Sequence, residues 1–254
     1  MTPADTPSRP FARRLALAYA WGAGAVFVGS MAYFLYFYGA VLTGEPAGAA
    51  RPVWRALLVD TLLFAAFAAH HSLMARSTAK RWLARMIPAS LERATYVWIA
   101  SLLFFAVCWW WQDLPGRLYR FEGWARAPFV LAQLGGMVFA LRSARSIDVF
   151  DLAGIRQVRH EAPVLRDAPA AHEMGRLETD GPYRVVRHPI YLGTMLLMAA
   201  TPDLTADRLL FGALSLAYLV IGIWWEERSL REEFGPAYDE YARRVRWRMI
   251  PGVY

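Results

Sequence analysis

Leu15–Leu42, LALAYAWGAGAVFVGSMAYFLYFYGAVL, decides the architecture. No charged side chain occurs in it. A helix needs about 20 mainly apolar residues to cross about 30 Å of hydrocarbon, so this stretch is long enough to span a membrane. It is too long for a signal-peptide core and runs past any plausible cleavage site, so it reads as a retained span. Five more apolar segments follow: Trp54–Ala75, Ala94–Gln112, Pro128–Leu141 (continuing to Ile147), Ile190–Thr201 and Leu209–Trp225. The expected fold is all-α, a polytopic integral membrane protein with five to six transmembrane helices. Ile190–Thr201 is the short one and allows for a half-length helix. Pro202-Asp203-Leu204-Thr205 reads as a tight turn, with Thr205 or Asp207 capping the helix after it. The last two segments then form a helical hairpin. Trp109-Trp110-Trp111 ends the third segment as an interfacial aromatic belt.

Composition agrees. Of 254 residues, 57% are hydrophobic and 19% charged, against about 25% charged in an ordinary globular chain. This excludes a disordered chain, a collagen-like fibre and a coiled coil. One cysteine, Cys108, excludes a disulfide framework and a cysteine-based metal site within one chain. Cys108 itself reads as a small apolar packing residue. The net charge of +7 suits an anionic membrane surface better than nucleic acid, because the basic residues flank the apolar segments. Lys80 is the only lysine, a codon bias of the kind a GC-rich bacterial genome leaves.

Basic residues also orient the chain. Five lie in the stretch from Arg76 to Arg93 and three in the N-terminal tail, against two in Thr43–Arg55, three in Asp113–Arg126 and none in the turn before Arg208. Both termini, the long polar loop from Arg142 to Arg187 and the tail after Glu226 are thereby expected on the cytoplasmic side of a bacterial inner membrane. Residues 1–147 form an N-terminal four-helix membrane region. Residues 148–254 form the loop, hairpin and tail of a second, functional part. Within the tail, Leu230, Phe234, Tyr238, Tyr241 and Val245 recur at helical spacing. Gly235-Pro236 interrupts them, which predicts two short helices.

Two polar clusters border apolar segments. The first is Gly181-Pro182-Tyr183-Arg184-Val185-Val186-Arg187-His188-Pro189-Ile190-Tyr191-Leu192-Gly193. Pro189 suits the first turn of a helix, which puts Arg187 and His188 at a helix mouth suited to a carboxylate. The plainer alternative makes them interfacial anchors. The second is Trp224-Trp225-Glu226-Glu227-Arg228, where carboxylates at a membrane boundary must be solvated or paired. They either face a ligand or form a solvated helix end.

Together the clusters carry a resemblance. Gly181, Tyr183, Arg187 to Gly193, Glu226-Glu227, Phe234-Gly235, Tyr238, Tyr241 and Pro251 follow the pattern of the isoprenylcysteine carboxyl methyltransferase-like superfamily of membrane methyltransferases. Asp60 to Arg76, Glu92 to Tyr96 and Phe150 to Gln157 are similar to its methanethiol S-methyltransferase branch. Val149 departs from that branch, whose members often carry a His before the Phe-Asp-Leu.

The resemblance implies a cytoplasmic pocket for S-adenosyl-L-methionine. It assigns Tyr183, Arg187, His188, Pro189, Tyr191, Gly193, Glu226, Glu227, Tyr238 and Tyr241 to that pocket. It assigns His188, Arg187 and Tyr191 to catalysis. It also implies methyl transfer to a small thiol such as methanethiol, giving dimethyl sulfide. Membrane lipid is the other implied partner, with no metal and no nucleic acid. The competing readings are a methyltransferase for a lipid-tailed carboxylate or amine, and a non-enzymatic membrane accessory protein of nitrogen-oxide metabolism. His70-His71 reads as polar helix packing, and Asp60 as a structural acid paired with an arginine. Phe150-Asp151 and Arg156-Gln157 are candidate lid residues.

Overall fold

The structure is a computed structural model and describes residues 10–43, 52–74, 83, 85–146, 149–160 and 177–254. Its helices are α1 (Pro10–Gly39), α2 (Val53–Met74), α3 (Glu92–Trp109), α4 (Ala127–Ser143), α5 (Val149–Leu152), α6 (Ile155–His160), α7 (Pro189–Ala199), α8 (Ala206–Phe234) and α9 (Pro236–Arg244). Five stretches are long and apolar enough to cross a membrane, built on α1, α2, α3, α4 and α8. Helix is the form that satisfies every backbone polar group without water, which is why apolar runs of this length adopt it. Their outward faces carry Leu58, Leu62, Leu102, Leu131, Leu141, Leu209 and Ile221, all exposed. The protein is an all-α integral membrane protein.

The sixth segment, α7, has eleven residues. At 1.5 Å per residue it rises only about 16 Å, half a bilayer. It survives at that length because it lies along α4. A Cβ on Gly193 would meet the Gly136 carbonyl at 2.6 Å, and one on Gly136 would meet the Gly193 carbonyl at 2.8 Å. Backbone meets backbone there, as small residues permit between membrane helices. Gly193→Leu should split this seam. Overpacking costs about 1–3 kcal/mol where side chains can yield, and here the obstacle is main chain. The purified variant should melt well below the native protein.

Helices α1 and α3 pack along one another, and α2 lies against α3 and α8. Phe34, Phe37, Phe64, Trp111 and Phe211 build the main aromatic core between them. Cys108 is buried in the same cluster, as a packing residue.

Several local expectations are revised. Asp203–Thr205 is a short strand, β2, paired antiparallel with β1 (Arg117–Arg120) rather than a tight turn. Thr205 does cap α8, accepting from the Arg208 amide at 3.2 Å. Asp207 instead reaches back to α3's end, taking the Trp111 indole N–H at 3.0 Å and the Leu114 amide at 3.1 Å. Trp111 is therefore buried, while Trp109 and Trp110 stay exposed and fit the belt. Asp60 accepts from the Gln112 amide at 2.9 Å, not from an arginine. Arg208 donates to the carbonyls of Asp203 and Tyr38, each at 2.6 Å, and to the Thr201 hydroxyl. These contacts knot the end of the bundle where α1 and α3 finish and α8 begins.

The charged stretch after Trp225 does not break into two short helices. It continues α8 to Phe234, and only the second half is a short helix, α9. Gly235 makes the corner with φ +52°, a conformation glycine adopts freely. Residues 76–82 and 84 of the Arg76–Arg93 stretch, and residues 147–148 and 161–176 of the long loop, lie outside the described residues, as does the Val149 side chain.

Candidate active site

His188 stands at the N-cap of α7 and Pro189 opens its first turn. The proline needs no hydrogen-bond acceptor there. Glu226 and Glu227 lie eight and seven residues before the end of α8, which runs antiparallel to α7. The start of α7 meets α8 about two turns before its end, and each carboxylate takes a different set of partners.

Glu227 is 1% exposed and faces inward. Arg187 Nε donates to its Oε1 at 2.7 Å, with Nη2 at 2.6 Å from the same oxygen. Arg248 Nε donates to Oε2 at 3.1 Å, and Arg231 lies 3.5 Å from it. Arg187 Nη1 donates to the carbonyls of Val245 and Arg246 at 2.7 and 2.9 Å. The backbone adds two bonds, from Arg187 N–H to the Trp247 carbonyl at 2.9 Å and from His188 N–H to the Arg248 carbonyl at 2.8 Å. The Arg187–Glu227 pair thus straps the C-terminal tail across the mouth of α7. Charge-assisted bonds of this kind are about twice as strong as neutral ones.

Glu226 takes the Tyr191 hydroxyl at 2.7 Å. The His188 ring stacks on Tyr191 with centroids 5.5 Å apart and 8° between planes. His188 Nδ1 lies 3.5 Å from Glu226 Oε2, and Nε2 lies 3.6 Å from Glu227 Oε1. Nε2 is buried without a hydrogen-bond partner. Burial pulls the His188 pKa down, but Glu226 and then Glu227 outweigh it and raise the net value. The imidazole is held protonated beyond its ordinary range.

The remaining residues sort by position. Tyr183, Tyr238 and Tyr241 are buried with Leu230 and Val245 in one cluster that seats α9. The Tyr241 hydroxyl donates to the Tyr183 carbonyl at 2.8 Å. Burial raises the pKa of all three tyrosines, so they stay neutral. Pro189 is fully buried. Gly193 faces α4, away from this mouth. Beside the cluster an open cleft is lined by Trp224, Glu227, Arg228, Arg231, Glu232 and Arg248. The anticipated lid residues Asp151 and Gln157 bond each other at 2.8 Å.

A second polar group was not anticipated as a unit. His71 Nδ1 lies 2.9 Å from the Tyr96 hydroxyl, and the Ser72 hydroxyl lies 3.5 Å from that of Tyr218. These residues join α2, α3 and α8. Tyr218 is one uncharged residue within an apolar run, so nothing local marked it. No group of three or more potential metal ligands occurs among the described residues.

Residues 133–237 match the family model described as phospholipid methyltransferase, and with the spanning helices this places the protein among membrane methyltransferases. The chain belongs to the methanethiol S-methyltransferase family. It is 36% identical to methanethiol S-methyltransferase 2 of Bradyrhizobium diazoefficiens, covering 92% of this chain and 90% of that one. Against the methanethiol S-methyltransferase of Pseudomonas deceptionensis it is 38% identical over 78% of this chain and 73% of the other. Against that of Mycobacterium tuberculosis it is 34% identical over 92% and 95%.

Proposed function

We propose that this protein transfers a methyl group from S-adenosyl-L-methionine to a small thiol, converting methanethiol to dimethyl sulfide. The observation that carries this reading is the Tyr191–Glu226–His188 cluster at a shared helix mouth, in a chain that aligns with named thiol methyltransferases over most of its length. The residues present suit the donor. His188 supplies a buried cation with an unpartnered Nε2. Glu226 suits ribose hydroxyls or the donor's ammonium. The arginines of the cleft suit its carboxylate, and Trp224 gives an exposed aromatic face for the adenine or the sulfonium.

When bound, the donor supplies an electrophilic methyl carbon. The chain's own task is alignment and exclusion of water. In this assignment Tyr191 and His188 fix Glu226, while Arg187 and Glu227 hold the tail that walls the site. Tyr183, Tyr238 and Tyr241 support that wall from beneath. The mouth and both termini face the cytoplasm of a bacterial inner membrane, where the donor is made, and a small apolar thiol enters from lipid between helices.

The deciding experiment feeds methanethiol and donor to purified protein and measures dimethyl sulfide in the headspace. Its appearance in step with donor consumption supports the reading. The family description favours one second reading, methylation of a phospholipid amine. Methylated lipid with no dimethyl sulfide would establish that reading instead. Tyr191→Phe removes one hydroxyl bonded to a carboxylate, a contact worth about 1.5–3 kcal/mol. Donor affinity should fall about tenfold or more while the fold persists, as binding calorimetry can read.

A further inference from the structure

With the donor placed at the proposed site, the thiol proton still needs a destination. His188 is buried between two carboxylates, with Nδ1 3.5 Å from Glu226 and Nε2 3.6 Å from Glu227, so its ring faces their charge rather than an incoming thiol. The thiolate, not the thiol, is the nucleophile, so an acceptor is needed elsewhere. A seam beginning beside Tyr191 contains one.

Tyr191 lies within electrostatic reach of both Tyr218 and Tyr96, and Tyr218 within reach of Glu226. His71 packs between these tyrosines, with ring centroids 5.6 Å from Tyr96 and 6.3 Å from Tyr218. Phe67 closes one side at 5.5 Å. His70 stacks on Tyr96 at 5.9 Å, and its Nδ1 is buried with no hydrogen-bond partner. The levels agree as well. His71 is one turn from the end of α2, Tyr96 is in the first turns of α3, and Tyr191 is in the first turn of α7. All three lie near the helix ends at the level of His188 and the α7 N-terminus. The seam is aromatic and lies between lipid-facing helices, which suits a small apolar molecule bearing one acidic proton.

We propose that the seam between α2, α3 and α8 lined by His71, Tyr96 and Tyr218 holds the acceptor thiol, and that the His71 imidazole takes its proton. This rests on the thiol methyltransferase reading. The S–H bond breaks and its proton passes to an imidazole nitrogen, with Tyr96 fixing the ring. The sulfur lone pair then forms the new S–CH3 bond as the donor's sulfonium–methyl bond breaks, leaving two neutral thioethers. Imidazolium returns the proton to water. Among the described residues, the charged and titratable groups facing His71 are His70 on its own helix, Arg93 and Tyr96 on α3, and Tyr218 on α8.

The test compares wild type with His71→Gln and Tyr96→Phe in detergent, with 2,2,2-trifluoroethanethiol as well as methanethiol. The fluorinated thiol ionises near neutrality and needs little help from a base. General base catalysis contributes about 10²–10⁴-fold. His71→Gln should lose about a hundredfold or more in kcat with methanethiol at neutral pH. It should bind S-adenosylhomocysteine within about twofold of wild type by calorimetry. Its rate should rise steadily with pH where the wild type levels off, and the fluorinated thiol should restore most of it. Without donor, wild type should show the ultraviolet absorbance of a bound thiolate and His71→Gln should not. Tyr96→Phe should lose less and keep the wild-type pH profile shape.

An unchanged pH profile in His71→Gln overturns the proposal. So does a loss the acidic thiol does not rescue, or one that tracks weakened S-adenosylhomocysteine binding. If wild type binds S-adenosylhomocysteine but methylates neither thiol, the thiol reading itself fails and this assignment falls with it.

Discussion

Glu227→Ala is expected to be the most destabilising single substitution in the site. Its loss leaves Arg187, 7% exposed, as a buried cation facing two other arginines with no carboxylate between them. Breaking a buried pair by removing one partner costs about 3–5 kcal/mol. Arg187→Ala should cost less on the charge side, because Arg248 and Arg231 still face Glu227. It also surrenders two bonds to the tail carbonyls, so the tail itself should loosen. Thermal melting of the two purified variants should rank Glu227→Ala lowest. Limited proteolysis should cut Arg187→Ala first after residue 244. Equal melting of both variants and wild type would show that the tail strap carries no stability.

The second large effect is on activity with the fold kept. Glu226→Gln and His188→Asn should each fold and insert normally, yet lose methyl transfer. His188 is buried and stacked on Tyr191, so asparagine is the fairer change, since alanine would leave a gap as well as remove the charge. One charge-assisted hydrogen bond is worth about 1.5–3 kcal/mol. That is about a ten- to hundredfold loss of donor affinity, and misplacing the reacting methyl by an ångström costs about a further hundredfold in rate. Donor-analogue binding and dimethyl sulfide formation should both fall in both variants. Normal turnover in the pair would remove them from the site.

The membrane spans were legible because lipid tolerates only uninterrupted apolar helix. The short α7 was legible too, from twelve apolar residues and a leading proline. The length of α8 was not. Glu226, Glu227, Glu232 and Glu233 look like an exit into solvent, whereas pairs such as Arg228–Glu232 at 3.1 Å carry the helix onward into water. The β1–β2 pair was hidden because its strands are four and three residues long and lie more than eighty positions apart. Within the site, residue types and order pointed to the helix mouth, but not to who faces whom. Adjacent residues on a helix point about 100° apart, so Glu226 and Glu227 look alike in sequence and take separate partners in space. Arg187 likewise read as a donor ligand, and only the positions of Val245 and Arg246 reveal how its hydrogens are used.

The tail strap has a consequence for biogenesis. Residues 245–248 leave the ribosome after every helix of the bundle has been synthesised, yet they provide the carbonyls that receive Arg187 and His188. Until then the mouth of α7 lacks its lid of main-chain acceptors, and the insertion machinery must deliver α7 and α8 side by side with that corner unfinished. Completion of this corner is therefore a late event, separate in time from membrane integration. A released chain ending at residue 244, which keeps every helix of the bundle, should integrate fully and be catalytically silent.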